Sequence, residues 1–176
     1  MQKDIDIIIY GATGFTGQLC VKYFQSLNTG VNWAIAGRDQ EKLQKVASDN
    51  SIDVEILIAD SDDEVALDIL TSRAKVILST TGPFHRYGSK LVASCVKNSA
   101  NYVDITGENF WVKGLIAKHH EEASAKGIRI IPSCGYDSIP SDLGVFYSAK
   151  ALNKPIKRIE SFHSWEGGAS GGTLET

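Results

Sequence analysis

The sequence predicts a doubly wound α/β domain, a parallel sheet of six strands in the order 3-2-1-4-5-6 with helices on both faces. Three observations predict it. Ile5 to Tyr10 is a mostly apolar run, as a strand buried on both faces would be. It passes directly into Gly11, Gly14 and Gly17, three glycines spaced three apart, and from them into a helical pattern. Short apolar runs and helical patterns then alternate as far as Leu152.

Each glycine of the first turn has its own task. Gly11 lets the chain turn sharply out of the strand, Gly14 lets the backbone approach a phosphate, and Gly17 lets the next helix pack on the sheet. A helix N-terminus aims unpaired N–H groups and the positive end of its dipole at the same point, which suits an anion. The motif is therefore read as a pyrophosphate cradle for a dinucleotide. Phe15, Leu19, Tyr23, Phe24 and Leu27 recur at helical spacing after it and are expected to form the helix's apolar stripe.

The second strand, Asn32 to Ala36, ends at Gly37-Arg38-Asp39. In this fold an acid about 20 residues past the glycines takes the ribose 2′-hydroxyl, whereas an arginine accepts a 2′-phosphate. Arg38 carries the forked cation suited to phosphate, so NADP is read over NAD. Asp39 argues the other way but is better placed as the N-cap of the helix 40–48. The third strand, Val54 to Ala59, leads to Asp60, placed near the adenine edge. Ser61 and Glu64 have the spacing of a capping box for a helix carrying Val65, Ile69 and Leu70. Asp62 and Asp63 fall in its first turn, so this acidic cluster reads as a helix start and no metal site is expected.

Val76 to Ser79 is the fourth strand, and the irregular loop Thr80 to Phe84 should face the cofactor beyond the switch point of the sheet. His85, Arg86 and Tyr87 follow it, either close to the nicotinamide or simply on a hydrated helix end. Leu91, Val92, Cys95, Val96 and Ser99 lie along one side of the next helix, which places Cys95 in the core. Tyr102 to Ile105 is the fifth strand, and Trp111, Leu115, Ile116, His119 and Ala123 line one face of the helix after it. Ile128 to Ile131 is the sixth strand, and Ser141 is read as the cap of a last helix. Lys157 to Trp165 reads as one more strand and 166–173 as a flexible tail. The division is thus 1–152 for the nucleotide domain and 153–176 for the start of a second one, and the chain is expected to be the amino-terminal piece of a longer protein.

Composition is that of a soluble globular protein, with 43% hydrophobic and 22% charged residues. A net charge of −3 without a basic block makes nucleic acid an unsuitable main partner. Three cysteines without paired metal spacing fit a reducing compartment, and a start that runs straight into the first strand leaves no room for a signal peptide. The expected location is cytoplasmic.

Five motifs occur in sequence: GATGFTG at 11–17, AGR at 36–38, STTGPF at 79–84, YVDITGE at 102–108 and GYDSIPSD at 135–142. Together they resemble the saccharopine dehydrogenase-like oxidoreductases, in the branch that includes trans-acting enoyl reductases. The resemblance implies a Rossmann domain followed by an α+β domain for substrate binding and homodimerisation. It implies an NADP-dependent oxidoreductase acting on a small molecule with a carbonyl, imine or enoyl group, lipid-like in the nearer branch, and hence a place at a membrane periphery. Carried over, it puts Gly11, Thr13, Gly14, Phe15 and Thr16 at the pyrophosphate, Arg38 at the 2′-phosphate, and Thr81, Gly82, Pro83 and Phe84 at the ribose and nicotinamide. Glu108, Tyr136 and Asp137, beyond strand ends, are the candidate catalytic acids, although Asp137 and Ser138 suit loop-shaping equally well.

Several other chemistries are not supported. None of the six tyrosines has a lysine four residues later, as a short-chain dehydrogenase needs. No phosphate-binding G-x-x-x-x-G-K-[ST] loop is present. The readings left are an oxidoreductase, of which this piece holds the cofactor without turning over, and a non-enzymatic NADP-binding sensor or scaffold.

Overall fold

β1 (Ile5–Tyr10) lies at the centre of the sheet because it has a parallel neighbour on each side: Ile8 pairs with Ala34 and with Ile77, and both Ile8 and Ile9 are wholly buried. In the computed structural model, which describes residues 3–28, 30–152, 154–164 and 166, the chain runs on from β1 through eleven more elements. They are α1 (Phe15–Leu27), β2 (Trp33–Gly37), α2 (Gln40–Asp49), β3 (Glu55–Ile58), α3 (Glu64–Arg73), β4 (Ala74–Ser79), α4 (Phe84–Lys97), β5 (Asn101–Asp104), α5 (Asn109–Lys126), β6 (Ile130–Ile131) and α6 (Ile139–Leu152). The strand order is β3-β2-β1-β4-β5-β6, all parallel, as the alternating pattern predicts. Successive residues of a strand face opposite sides. Ile8, Tyr10, Ala34, Ala36 and Ile77 accordingly pack under α3, α4 and α5 with Leu67, Leu91, Cys95 and Trp111. Ile9 and Ile35 pack on the other face with Val21, Leu43 and Val46.

Some elements differ from the sequence expectation. In α1 the buried residues are Gly17 and Val21, with Phe24 half-buried against Trp33, whereas Phe15, Leu19, Tyr23 and Leu27 are exposed. Gly17 makes the reason clear. A Cβ there would lie 2.8 Å from Ala12 Cα, so the helix backbone itself presses on the turn, and a residue without a side chain sets which face goes inward. The cap of α3 is Asp63, which accepts from Val65 N and Ala66 N, both at 3.0 Å, and not Ser61. Asp62 N donates to Asp60 Oδ1 at 2.9 Å and Asp63 N to Asp60 O at 3.1 Å, a turn that moves the cap two residues on. As a result Leu67, Leu70 and Thr71 face inward while Val65 and Ile69 do not. Ile116 is likewise exposed, and α6 starts at Ile139, ahead of Ser141, with no buried residue. β6 keeps only two of the four expected residues. No strand forms over 157–164, which is exposed; Trp165 and 167–176 lie outside the described residues, and with them most of the expected tail.

The α3–α4 seam is polar. The Thr71 and Ser94 hydroxyls meet at 2.7 Å, Ser94 Oγ donates to Asp68 Oδ1 at 2.6 Å, and Lys97 pairs with the other carboxylate oxygen. Lys97, Ser94 and Asn98 hold the Asp68 carboxyl below its usual range. A folded value below the unfolded one stabilises the native state above the unfolded value near 4, and that contribution disappears as the pH falls through the lower folded value. In urea titrations wild type should therefore be more stable than Asp68→Asn at pH 7, and the gap should close below pH 4. A gap that stays constant as the pH falls into the acid range would contradict this.

Candidate cofactor site

The end of β1 is pinned before it turns: Gly11 N and Ala12 N both donate to Ala36 O, at 2.9 and 3.3 Å. Gly11 then takes a φ of 88°, in the left-handed region that side chains disfavour, and Gly14 N closes the turn on Gly11 O at 3.0 Å. Gly14 is the N-cap of α1. It has no side chain to bond the first-turn N–H groups, and no acidic residue follows in that turn. Those donors and the positive helix end are left for an anion. Gly14 also differs from its neighbours. Its φ of −73° suits any residue, and a Cβ there would meet only Gly11 O at 3.4 Å.

A cavity of about 360 Å³ opens over this turn, lined by Gly11, Thr13, Gly14, Arg38, Thr81 and Pro83 among others. Thr80 is fixed at its wall by bonds to Tyr10 O and Gly11 O at 3.3 and 3.2 Å. Thr81 Oγ1 is buried, lies where a Cβ on Gly11 would overlap it, and has no hydrogen-bond partner. Buried polar atoms are nearly always satisfied, so an orphaned hydroxyl at the cavity wall fits a ligand oxygen. Arg38 reaches a second hollow of about 700 Å³, with Gln40, Gln44 and Asp60. Its guanidinium has no ion pair among the described residues. Asp39 is committed to capping: its Oδ1 accepts from Lys42 N at 3.1 Å, a bond that lowers its carboxyl's pKa. The acid that argued for the other cofactor is thus occupied, and the cation beside it is available.

Other named residues sit elsewhere. Phe84 is buried against Trp111, with ring centroids 5.8 Å apart, and is part of the core. Phe15 is exposed, and neither it nor Thr16 lines the cavity, although both begin the helix whose N–H groups face it. Tyr87 does line the cavity, and so does Ser61, whose spacing to Glu64 suggests only a cap. The three candidate acids are in different states. Tyr136 is 87% exposed and Asp137 is exposed on the same loop. That loop is closed by backbone bonds from Ser138 N and Ile139 N to Gly135 O, at 3.2 and 3.0 Å. Glu108 is buried, and Oε1 accepts from Phe84 N at 2.7 Å while Oε2 accepts from His85 N at 2.8 Å and meets His85 Nδ1 at 2.7 Å. It supplies the N-terminal cap that Pro83 cannot give α4.

Behind Glu108 a polar line follows the ends of β4 and β5. Asp104 Oδ1 accepts from Thr106 N and Ser133 N, at 2.9 and 3.0 Å, and Glu108 N donates to Thr106 Oγ1 at 3.1 Å. Burial pushes the Asp104 carboxyl above its usual range. Ser79 Oγ, Tyr102 OH and Asp104 Oδ2 are buried together there, with the Tyr102 hydroxyl beside the other two. Among the described residues no cluster of three His, Cys, Asp or Glu could hold a metal ion.

Residues 7–131 match the saccharopine dehydrogenase NADP-binding domain. The chain belongs to that family. It is an NADP-binding domain, consistent with the bare turn, the orphaned threonine and the unpaired arginine. It is similar to a trans-acting enoyl reductase of Mycobacterium leprae, 40% identical over 148 residues that cover 82% of this chain and 35% of that one. A saccharopine dehydrogenase-like oxidoreductase of Mus musculus is 35% identical over 185 residues, 97% of this chain and 43% of its own. A lipid droplet localized protein of Caenorhabditis elegans is 36% identical, with the same coverages of 97% and 43%. The chain thus spans less than half the length of the curated relatives it matches. Among solved structures, apo saccharopine dehydrogenase (L-Glu forming) from Saccharomyces cerevisiae superposes with a TM-score of 0.70 at 18% identity, over 85% of this chain and 31% of that one; this likeness is one of fold.

Proposed function

We infer that this chain is the cofactor-holding part of an NADP-dependent oxidoreductase that moves hydride to or from a carbonyl, imine or enoyl substrate. The observation that carries the reading is the pairing of an uncapped, side-chain-free helix start at Gly14 with an unpaired guanidinium at Arg38, one for the diphosphate and one for the 2′-phosphate. Gly11, Thr13, Gly14 and the first-turn N–H groups of Phe15 and Thr16 bind the diphosphate. Asp60 lies at the adenine edge, and Thr81, Gly82 and Pro83 hold the ribose and nicotinamide side, with Phe84 supporting them from the core. The bound cofactor supplies the hydride. Tyr136 and Asp137 are exposed enough to meet a substrate, whereas Glu108 acts through its neighbours. A lipid-like substrate is supported by the names of two relatives, one an enoyl reductase and one a lipid droplet protein. Residues 1–152 form the nucleotide domain, 153–176 lead into the substrate and dimerisation part, and the chain alone binds without turnover. Among the described residues no helix is long and apolar enough to cross a membrane.

Titrating the chain with NADPH and NADH, as wild type and as Arg38→Ala, tests the reading. A charge-assisted hydrogen bond contributes roughly 1.5–3 kcal/mol, so the variant should lose about 10- to 100-fold in NADPH affinity with NADH binding little changed. Equal loss for both coenzymes, or none, would remove Arg38 from the site.

A further inference from the structure

The Glu108 carboxylate is already fully engaged by backbone. Phe84 N and His85 N take one oxygen each, and these two bonds complete the cap of α4. The third bond, from the His85 ring at 2.7 Å, adds nothing the cap needs. It does fix the imidazole. Nδ1 is engaged by the carboxylate, and Nε2 is left to act. The Glu108 side chain is 1% exposed and cannot move with the ring, whereas the His85 side chain is 34% exposed and rests beside Phe110, centroids 5.6 Å apart. Nε2 has no partner among the described residues. No other histidine pairs with a carboxylate there; His119 is buried on α5, and burial lowers its pKa. A fixed ring and a free nitrogen thus stand on the first turn of α4, held by a buried acid at the start of α5. That turn continues the loop Thr81-Gly82-Pro83 that walls the cofactor cavity.

We propose that His85 is the proton donor to the substrate of this oxidoreductase and that Glu108 is its positioning residue. The inference rests on the reading above, in which the nicotinamide lies beyond β4. In the reducing direction the substrate's π bond opens. One of its atoms receives hydride from the coenzyme, and the other receives the π electron pair and the proton that the His85 imidazolium gives up from Nε2, leaving the neutral ring. The substrate gains two electrons and two hydrogens, NADPH ends as NADP⁺, and the half-exposed imidazole regains a proton from water. Glu108 keeps the ring aimed throughout and offsets the imidazolium charge before transfer.

The test begins with the chain itself. Diethyl pyrocarbonate acylates accessible imidazole nitrogens, and mass spectrometry separates His85 from the other three histidines. Saturating NADPH should slow acylation of His85 at least fivefold, whereas adenosine 2′,5′-bisphosphate, which lacks the nicotinamide half, should not. Ring ¹⁵N shifts should show Nδ1–H at His85 in wild type and a changed tautomer ratio in Glu108→Gln, which a purely structural cap would not produce. In the intact enzyme His85→Gln should lower kcat by about 10²- to 10⁴-fold with NADPH affinity within twofold. Binding of NADPH without protection of His85, equal protection by the bisphosphate, an unchanged tautomer in Glu108→Gln, or wild-type turnover by His85→Gln each overturns the proposal while leaving the functional reading intact. Failure of wild type to bind NADPH would remove both.

Discussion

Gly14→Val should fold and fail to bind NADPH. Valine adopts a φ of −73° and ψ of 166° without strain, and its Cβ would meet nothing closer than Gly11 O at 3.4 Å. The loss in stability is that of a poorer N-cap, about 1 kcal/mol or less. The glycine is therefore not required by the protein's own atoms, which leaves the ligand as the reason for it. A branched side chain there stands over the first-turn N–H groups. Losing two charge-assisted hydrogen bonds to the diphosphate, at roughly 1.5–3 kcal/mol each, lowers affinity by about 100-fold or more. Gly17→Ala should behave in the opposite way, because a Cβ at Gly17 would lie 2.8 Å from Ala12 Cα and 2.9 Å from Gly11 C, both backbone atoms. That variant should be destabilised first and lose NADPH only as a consequence. Thermal melts beside fluorescence titrations separate the cases; a Gly14→Val protein that binds NADPH normally would refute the assignment of the turn.

These two glycines also show how far the sequence is readable. The bounds of β1 and the turn follow from local signals, a long apolar run and glycines at fixed offsets, because each is decided within about ten residues, while the strand order follows from the alternation of strands and helices along the chain. Asp39 and Cys95 were legible for the same reason, one as a side chain that caps its own helix and one as a member of an unbroken apolar face. The inward face of α1 was not, because the contact that sets it is made by Gly17, which carries no hydrophobic signal. The cap of α3 moved to Asp63 because Asp60 bonds two following amides, a competition that a spacing rule for capping boxes does not include. Within the site, the turn and Arg38 could be read directly, but Glu108 could not be separated from Tyr136 and Asp137. All three follow strand ends in sequence. Only the fold brings a buried carboxylate to amides 23 and 24 residues away.

Glu108→Ala is the substitution expected to damage the fold most. Truncation leaves Phe84 N–H and His85 N–H without acceptors at a helix start whose own cap residue is Pro83, and each such buried amide costs about 1–3 kcal/mol. The void left by the buried side chain adds to this, giving a loss on the order of 3–5 kcal/mol, a large part of the 5–15 kcal/mol that holds a typical domain. For a chain of this length the melting temperature should fall by roughly 10 °C. His85→Ala removes the ring but leaves both backbone bonds, so it should melt within about 3 °C of wild type on the same scale. The order of the two variants is the diagnostic result. If His85→Ala were as unstable as Glu108→Ala, the ring and not the backbone would be what the carboxylate holds. If neither moved the melt, the loop Thr81 to Phe84 would be fixed by something other than Glu108, and the orientation of the nicotinamide wall would need another explanation.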